Sequence, residues 1–116
     1  MLTNTQLLEQ KCRHQVDALT MPEVSSLLPQ IDGWQQDGLR IVRSFDFKDY
    51  YETLSFINAI AYVVHAENHH PELIVTYNRC VVKFDTHSVN SGRGGLSVND
   101  FICAAKVDAI FQQSFS

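Results

Sequence analysis

The apolar residues of this chain change period twice between Leu39 and Thr86, and that double change fixes what the chain can build. Leu39, Ile41, Phe45 and Phe47 recur at every second position, broken only by Arg43. Such alternation predicts a strand with one buried face. From Asp49 the spacing becomes helical, with Leu54, Ile57, Ala61 and Val64 in one apolar stripe and Ile60 beside it. The stripe runs into His65-Ala66-Glu67-Asn68-His69-His70-Pro71. Pro71 disfavours helical geometry at His70, so the helix is expected to end near Asn68. Period two then returns in Leu73–Tyr77 and Cys80–Thr86, which read as a hairpin turning at Asn78-Arg79.

The flanks complete the pattern. Trp34–Gln36 faces the strand of Leu39–Phe47 across Asp37-Gly38, a pair suited to a tight hairpin turn. Thr20-Met21-Pro22-Glu23 reads as a helix start, and Pro29 with Asp32-Gly33 closes that helix early. Ser97-Val98-Asn99-Asp100 opens a last helix, with Val98, Phe101, Ile102, Ala105 and Ala109 on its inner face. The expected order is α-β-β-α-β-β-α. It defines an α+β fold, a four-stranded antiparallel sheet with helices packed on one face. The sheet's open edges and other face favour self-association. Residues 1–19 are polar and weakly periodic, and read as an N-terminal extension laid on the surface or partly mobile; residues 20–116 form a single domain.

Composition narrows the function classes. The chain has 116 residues, 45% hydrophobic and 19% charged, which suits one globular domain. Nine Lys plus Arg against thirteen Asp plus Glu give a net charge of −4, arguing against nucleic acid as a partner. The longest apolar run, Ala59–Val64, is far too short to span a bilayer, so no membrane partner is expected. Cys12, Cys80 and Cys103 are odd in number and scattered, which suits free thiols in a reducing compartment. The opening MLTNTQLLEQKC lacks a basic region followed by an apolar stretch. A cytoplasmic protein is the expectation.

Four of the five histidines, His65, His69, His70 and His87, lie at the end of the second helix or of the last strand. Three readings compete for them. Metal binding could use His65 and His69, four apart, with His70 and His87 added, but Pro71 ends the helix where that spacing would be used. Histidines at a helix C-terminus also interact favourably with the helix dipole and need no further role. The third reading is an acid/base site, because histidine gives and takes protons near neutral pH and loops held by rigid elements carry catalytic groups. Asp100 stands three residues after Ser97, so capping alone could explain it. Tyr77 reads as packing, Trp34 and Phe47 as core, and Arg93 as solvated.

Taken together, His69-His70-Pro71-Glu72, Tyr77, Thr86-His87, Gly95-Leu96-Ser97 and Asp100 resemble the pterin-4a-carbinolamine dehydratase family. Gly33-Trp34, Phe45-Asp46-Phe47 and the segment from Asn99 to Asp108 look like its bacterial members, so the likeness covers roughly residues 20 to 111. The resemblance implies subunits that join their sheets into a homodimer or homotetramer. It also implies loss of water from 4a-hydroxytetrahydrobiopterin to give quinonoid dihydrobiopterin, in tetrahydrobiopterin recycling, with no metal and no cofactor. His69 and His87 are similar to the acid/base pair, and His70 to the histidine that holds the pterin and assists proton transfer. Asn68, Pro71, Asp85, Thr86 and Ser88 are similar to substrate-contact segments, and Asp100 to a carboxylate facing the site. The family also has members that act as dimerisation partners of transcription regulators, which makes an interaction module the alternative.

The chain departs from the family pattern in three places. His65 stands where many members carry a Glu, a place that Glu67 could partly fill. The loop Ser88–Gly94 is longer than usual, and its Gly92-Arg93-Gly94-Gly95 segment is either a plain mobile loop or a flap over the pocket. The extension lacks the paired cysteines common in bacterial relatives.

Overall fold

The computed structural model describes residues 2–116. Helices α1 (Asn4–Glu9) and α2 (Met21–Leu27) lead through a 3₁₀ turn, Leu28–Gln30, into β1 (Gln35–Asp37) and β2 (Arg40–Asp46). Helix α3 (Tyr50–Glu67), strands β3 (Glu72–Thr76) and β4 (Arg79–Phe84), and helix α4 (Val98–Ser114) follow. The strands form one antiparallel sheet in the order β1-β2-β4-β3. The expected α+β architecture therefore holds, with one helix more than the sequence indicated.

That helix is α1, which lies inside the supposed extension. Thr3 and Gln6 cap it reciprocally, Asn4 bonds to Gln30, and Leu7 is fully buried in the common core. A single apolar side chain per turn gives no readable stripe, which is why the sequence reads there as a surface tail.

Local signals govern most other elements. Thr20 and Glu23 form a capping box at α2, and Ser97 and Asp100 form another at α4. The first hairpin turns at Gly38-Leu39, one residue later than the expected Asp37-Gly38, because Asp37 still pairs with Arg40; Gly38 takes φ 62° there, a left-handed conformation that glycine adopts without steric cost. On β2, Ile41 and Phe45 face the core as expected, and Phe47 continues that face just beyond the strand. Leu39 does not: it sits in the turn and is exposed. Phe45 packs on Phe56 and Phe111 with ring centroids 4.8 and 5.0 Å apart, joining the sheet to α3 and α4. Burial of each such ring is worth about 1.5–3 kcal/mol.

Helix α3 corrects the expected phase. Its buried face is Thr53, Phe56, Ile60, Val63 and Glu67, while Leu54 and Ala61 are exposed. Thr53 belongs inside because its hydroxyl donates to the carbonyls of Asp49 and Tyr77, at 2.9 and 3.1 Å. Glu67 belongs inside because Lys106 meets it. Polar residues at both ends of the true stripe hid it from a reading by hydrophobicity. Tyr77 is a second correction, since it is exposed and stacks on Tyr50 rather than packing in the core.

Candidate active site

The site begins where α3 stops. Asn68 takes a left-handed conformation (φ 49°) and its N–H donates to the His65 carbonyl, a C-cap geometry that asparagine tolerates. The chain leaves the helix there, and Pro71 keeps it from resuming, so His69 and His70 project from a fixed exit.

The ring of His69 is held on two sides. It stacks on Phe84, centroids 5.8 Å apart and planes within 6°. Its Nε2 lies 2.6 Å from Oδ1 of Asp100, which is fully buried. The other carboxylate oxygen of Asp100 accepts from the Ser97 N–H and the Thr86 hydroxyl, both at 2.9 Å. Thr86 and Ser97 also share a hydrogen bond of 2.7 Å between their hydroxyls. Asp100 thus caps α4 and orients His69 at once. Because a carboxylate accepts, Nε2 of His69 donates, which leaves Nδ1 as the acceptor of the neutral ring.

A cavity of about 390 Å³ brings the predicted residues together. Asn68, His69, His70, Asp85, Thr86, His87 and Ser88 all line it. Pro71 does not, being fixed in the exit turn, and Asp100 stands behind His69 rather than at the surface. His87 is at the rim, its side chain 85% exposed, with Nε2 at 3.4 Å from Oδ1 of Asp85. His65, the residue in the usual Glu position, is exposed and does not line the cavity. Among the described residues no group of three His, Cys, Asp or Glu side chains has metal-binding geometry.

Glu67 lines the cavity, yet both of its oxygens are engaged. Oε1 accepts from the Cys12 N–H at 2.8 Å and Oε2 from Lys106 Nζ at 2.6 Å. Burial alone would raise its carboxyl, but Lys106 and the Cys12 N–H outweigh that and hold it below the usual carboxylate range. The loop after β4 is folded rather than draped over the cavity. Val89 is buried, the N–H groups of Gly92 and Gly94 donate to its carbonyl, and Thr86 bridges to Gly95. Of this loop, only Ser88 lines the cavity.

Cys12, Arg13, His14 and Gln15 complete the wall, together with Asn99. Sequence reasoning missed these five. The extension has no periodicity, and Arg13 meets Asn99, 86 positions further along the chain, so no local signal pointed to the contact.

A buried aspartate that orients a histidine on the wall of a polar cavity is an arrangement able to accept and donate protons. Comparison with known proteins narrows this. Residues 17–110 match the family described as pterin 4 alpha carbinolamine dehydratase. A relative from Bdellovibrio bacteriovorus named for this family is 58% identical over all of this chain and 97% of its own. Another, from Nitrosospira multiformis, is 46% identical over 87% of this chain and 86% of its own. A solved structure titled transcriptional coactivator/pterin dehydratase from Brucella melitensis shares the fold. Its TM-score is 0.73 at 35% identity, covering 81% of this chain and 98% of that one. The chain therefore belongs to the pterin-4a-carbinolamine dehydratase family, hydro-lyases that remove water from a pterin carbinolamine.

Proposed function

We propose that the cavity takes 4a-hydroxytetrahydrobiopterin and that its histidines carry the protons of the dehydration, within tetrahydrobiopterin recycling in the cytosol. The reaction breaks the C4a–OH bond and the neighbouring N5–H bond and forms the C4a=N5 double bond of quinonoid dihydrobiopterin. Water is the only other product. No electrons are gained or lost, so proton carriers suffice and no metal or cofactor is needed. His69, with Nδ1 as its free acceptor, removes the N5 proton. His87, at the rim, hands a proton to the departing hydroxyl, and His70 holds the ring. Asn68, Asp85, Thr86 and Ser88 offer donors and acceptors to the polar edge of the pterin. One observation carries this reading: the 2.6 Å bond from His69 to a fully buried aspartate, on the wall shared with His70 and His87. His87→Ala should lower the dehydration rate about 100-fold or more in a stopped-flow assay with fresh carbinolamine, and an unchanged rate would sink the assignment.

The working form is a homodimer or homotetramer that joins through β3. This strand is an open edge of the sheet, and Ile74, Val75 and Tyr77 are exposed along it. Unpaired edge strands with apolar side chains are templates for pairing with another copy. Val75→Lys should give a monomer of 13.2 kDa by light scattering. The same edge would serve an interaction module that dimerises a regulator. Partner capture that survives the double change His69→Ala, His87→Ala would favour that second reading.

A further inference from the structure

The outer wall of the cavity comes from residues 12–15, ahead of the region matched to the family. Backbone hydrogen bonds tie this strap down along its length. Cys12 N–H donates to Glu67, and Lys106 bridges Glu67 to the carbonyl of Gln10. The side chain of Asn99 accepts from the Arg13 N–H at 3.1 Å and donates to the Arg13 carbonyl at 2.6 Å. Ser88 Oγ donates to the Gln15 carbonyl at 2.5 Å.

The backbone does the anchoring, and the side chain of Arg13 takes no part in holding the strap among the described residues. It is exposed, lines the wall, and enters no ion pair among the described residues. The carboxylates nearby do not compete for it. Glu67 is matched by Lys106, and Asp85 stands beside His87 and Arg40. An arginine of the cavity wall whose guanidinium enters no ion pair among the described residues is suited to carboxylate or phosphate, which it can grip with two parallel bonds.

We propose that Arg13 is a specificity-determining residue, favouring reduced pterin carbinolamines whose ring substituent ends in an anion. The ring would occupy the histidine end of the cavity and the anion would meet the strap. This rests on the pterin reading above. Three carbinolamines test it, with a neutral dihydroxypropyl, a phosphate-ended and a carboxylate-ended substituent, compared by kcat/KM. The protein should favour an anion-ended substrate about tenfold, and the two anionic arms show which anion is preferred. Arg13→Gln should remove that preference, Arg13→Lys should keep part of it, and it should shrink as salt rises from about 0.05 to 0.3 M. A fold-only role for the strap would lower all three substrates together. Equal kcat/KM for neutral and anionic substrates, or a preference untouched in Arg13→Gln, overturns the proposal while leaving the pterin reading intact. Failure to speed the dehydration of any of the three overturns the pterin reading itself, and the assignment of Arg13 with it.

Discussion

Two aspartates on helix α4, Asp100 and Asp108, are both buried, both fully hydrogen-bonded, and about two turns apart, yet they do different work. Asp100 meets His69, Thr86 and the Ser97 N–H. Asp108 meets the Trp34 indole N–H at 2.9 Å, the Arg43 guanidinium at 2.8 Å and the Asp32 N–H at 3.2 Å. The partners decide the role. Indole, guanidinium and backbone N–H groups keep their protons through the ordinary pH range, so Asp108 can only hold the fold together. An imidazole can carry a proton, and its second nitrogen is free, so Asp100 can serve chemistry. Burial of a carboxylate is therefore no sign of function until its donors are known.

The largest effect should come from breaking the first of the two. Asp100→Asn keeps an acceptor for the α4 cap but can donate to His69 and so loses control of its tautomer. Dehydration should fall about a thousand-fold in stopped-flow turnover, with a modest change in Tm. Asp108→Asn should invert that pattern. It turns an amide donor toward the Trp34, Arg43 and Asp32 N–H groups that the carboxyl accepts from, and should cost about 1–3 kcal/mol in urea unfolding at pH 4 while turnover stays within a few-fold.

The contrast sharpens with pH. Burial pushes the Asp108 carboxyl up to about 6, against the pull of Trp34, Arg43 and the Asp32 N–H. A folded value above the ordinary 3.8 means that the native state holds the proton more tightly than the unfolded chain does. This group's contribution is fully present below 3.8 and is lost as pH rises through about 6. The stability gap between the native protein and Asp108→Asn should accordingly narrow from pH 4 to pH 7, and a constant gap would refute the shift. The smallest effect belongs to Thr86→Val, which removes one donor from Asp100. It should cost about 1–2 kcal/mol and slow turnover several-fold, measured in the same two assays.

Legibility in the sequence followed the range of the interactions. The exit of α3 at Asn68, the Ser97–Asp100 box and, to within one residue, the hairpin turn at Gly38 are set within a few residues, and could be read directly. His69, His70 and His87 stood out for the same reason, being tied to the ends of those elements. The buried face of α3 could not be read, because Leu54 and Ile57 are as apolar as Phe56 and Ile60 and only the sheet beneath chooses between them. Arg43 looked like a break in a strand until Asp108, far along the chain, supplied its partner.

By itself, then, the sequence determined the order of the strands and main helices, their bounds to within a residue or two, and that three imidazoles stand at the ends of rigid elements. Those features depend on backbone sterics and caps that act over one turn or one strand step. Tertiary structure alone decided that Asp100 serves a histidine while Asp108 serves an arginine, and that residues 12–15 close the cavity. Such choices belong to groups brought together by chain folding. A hydrogen bond between residues 86 positions apart leaves no periodicity in either segment that makes it.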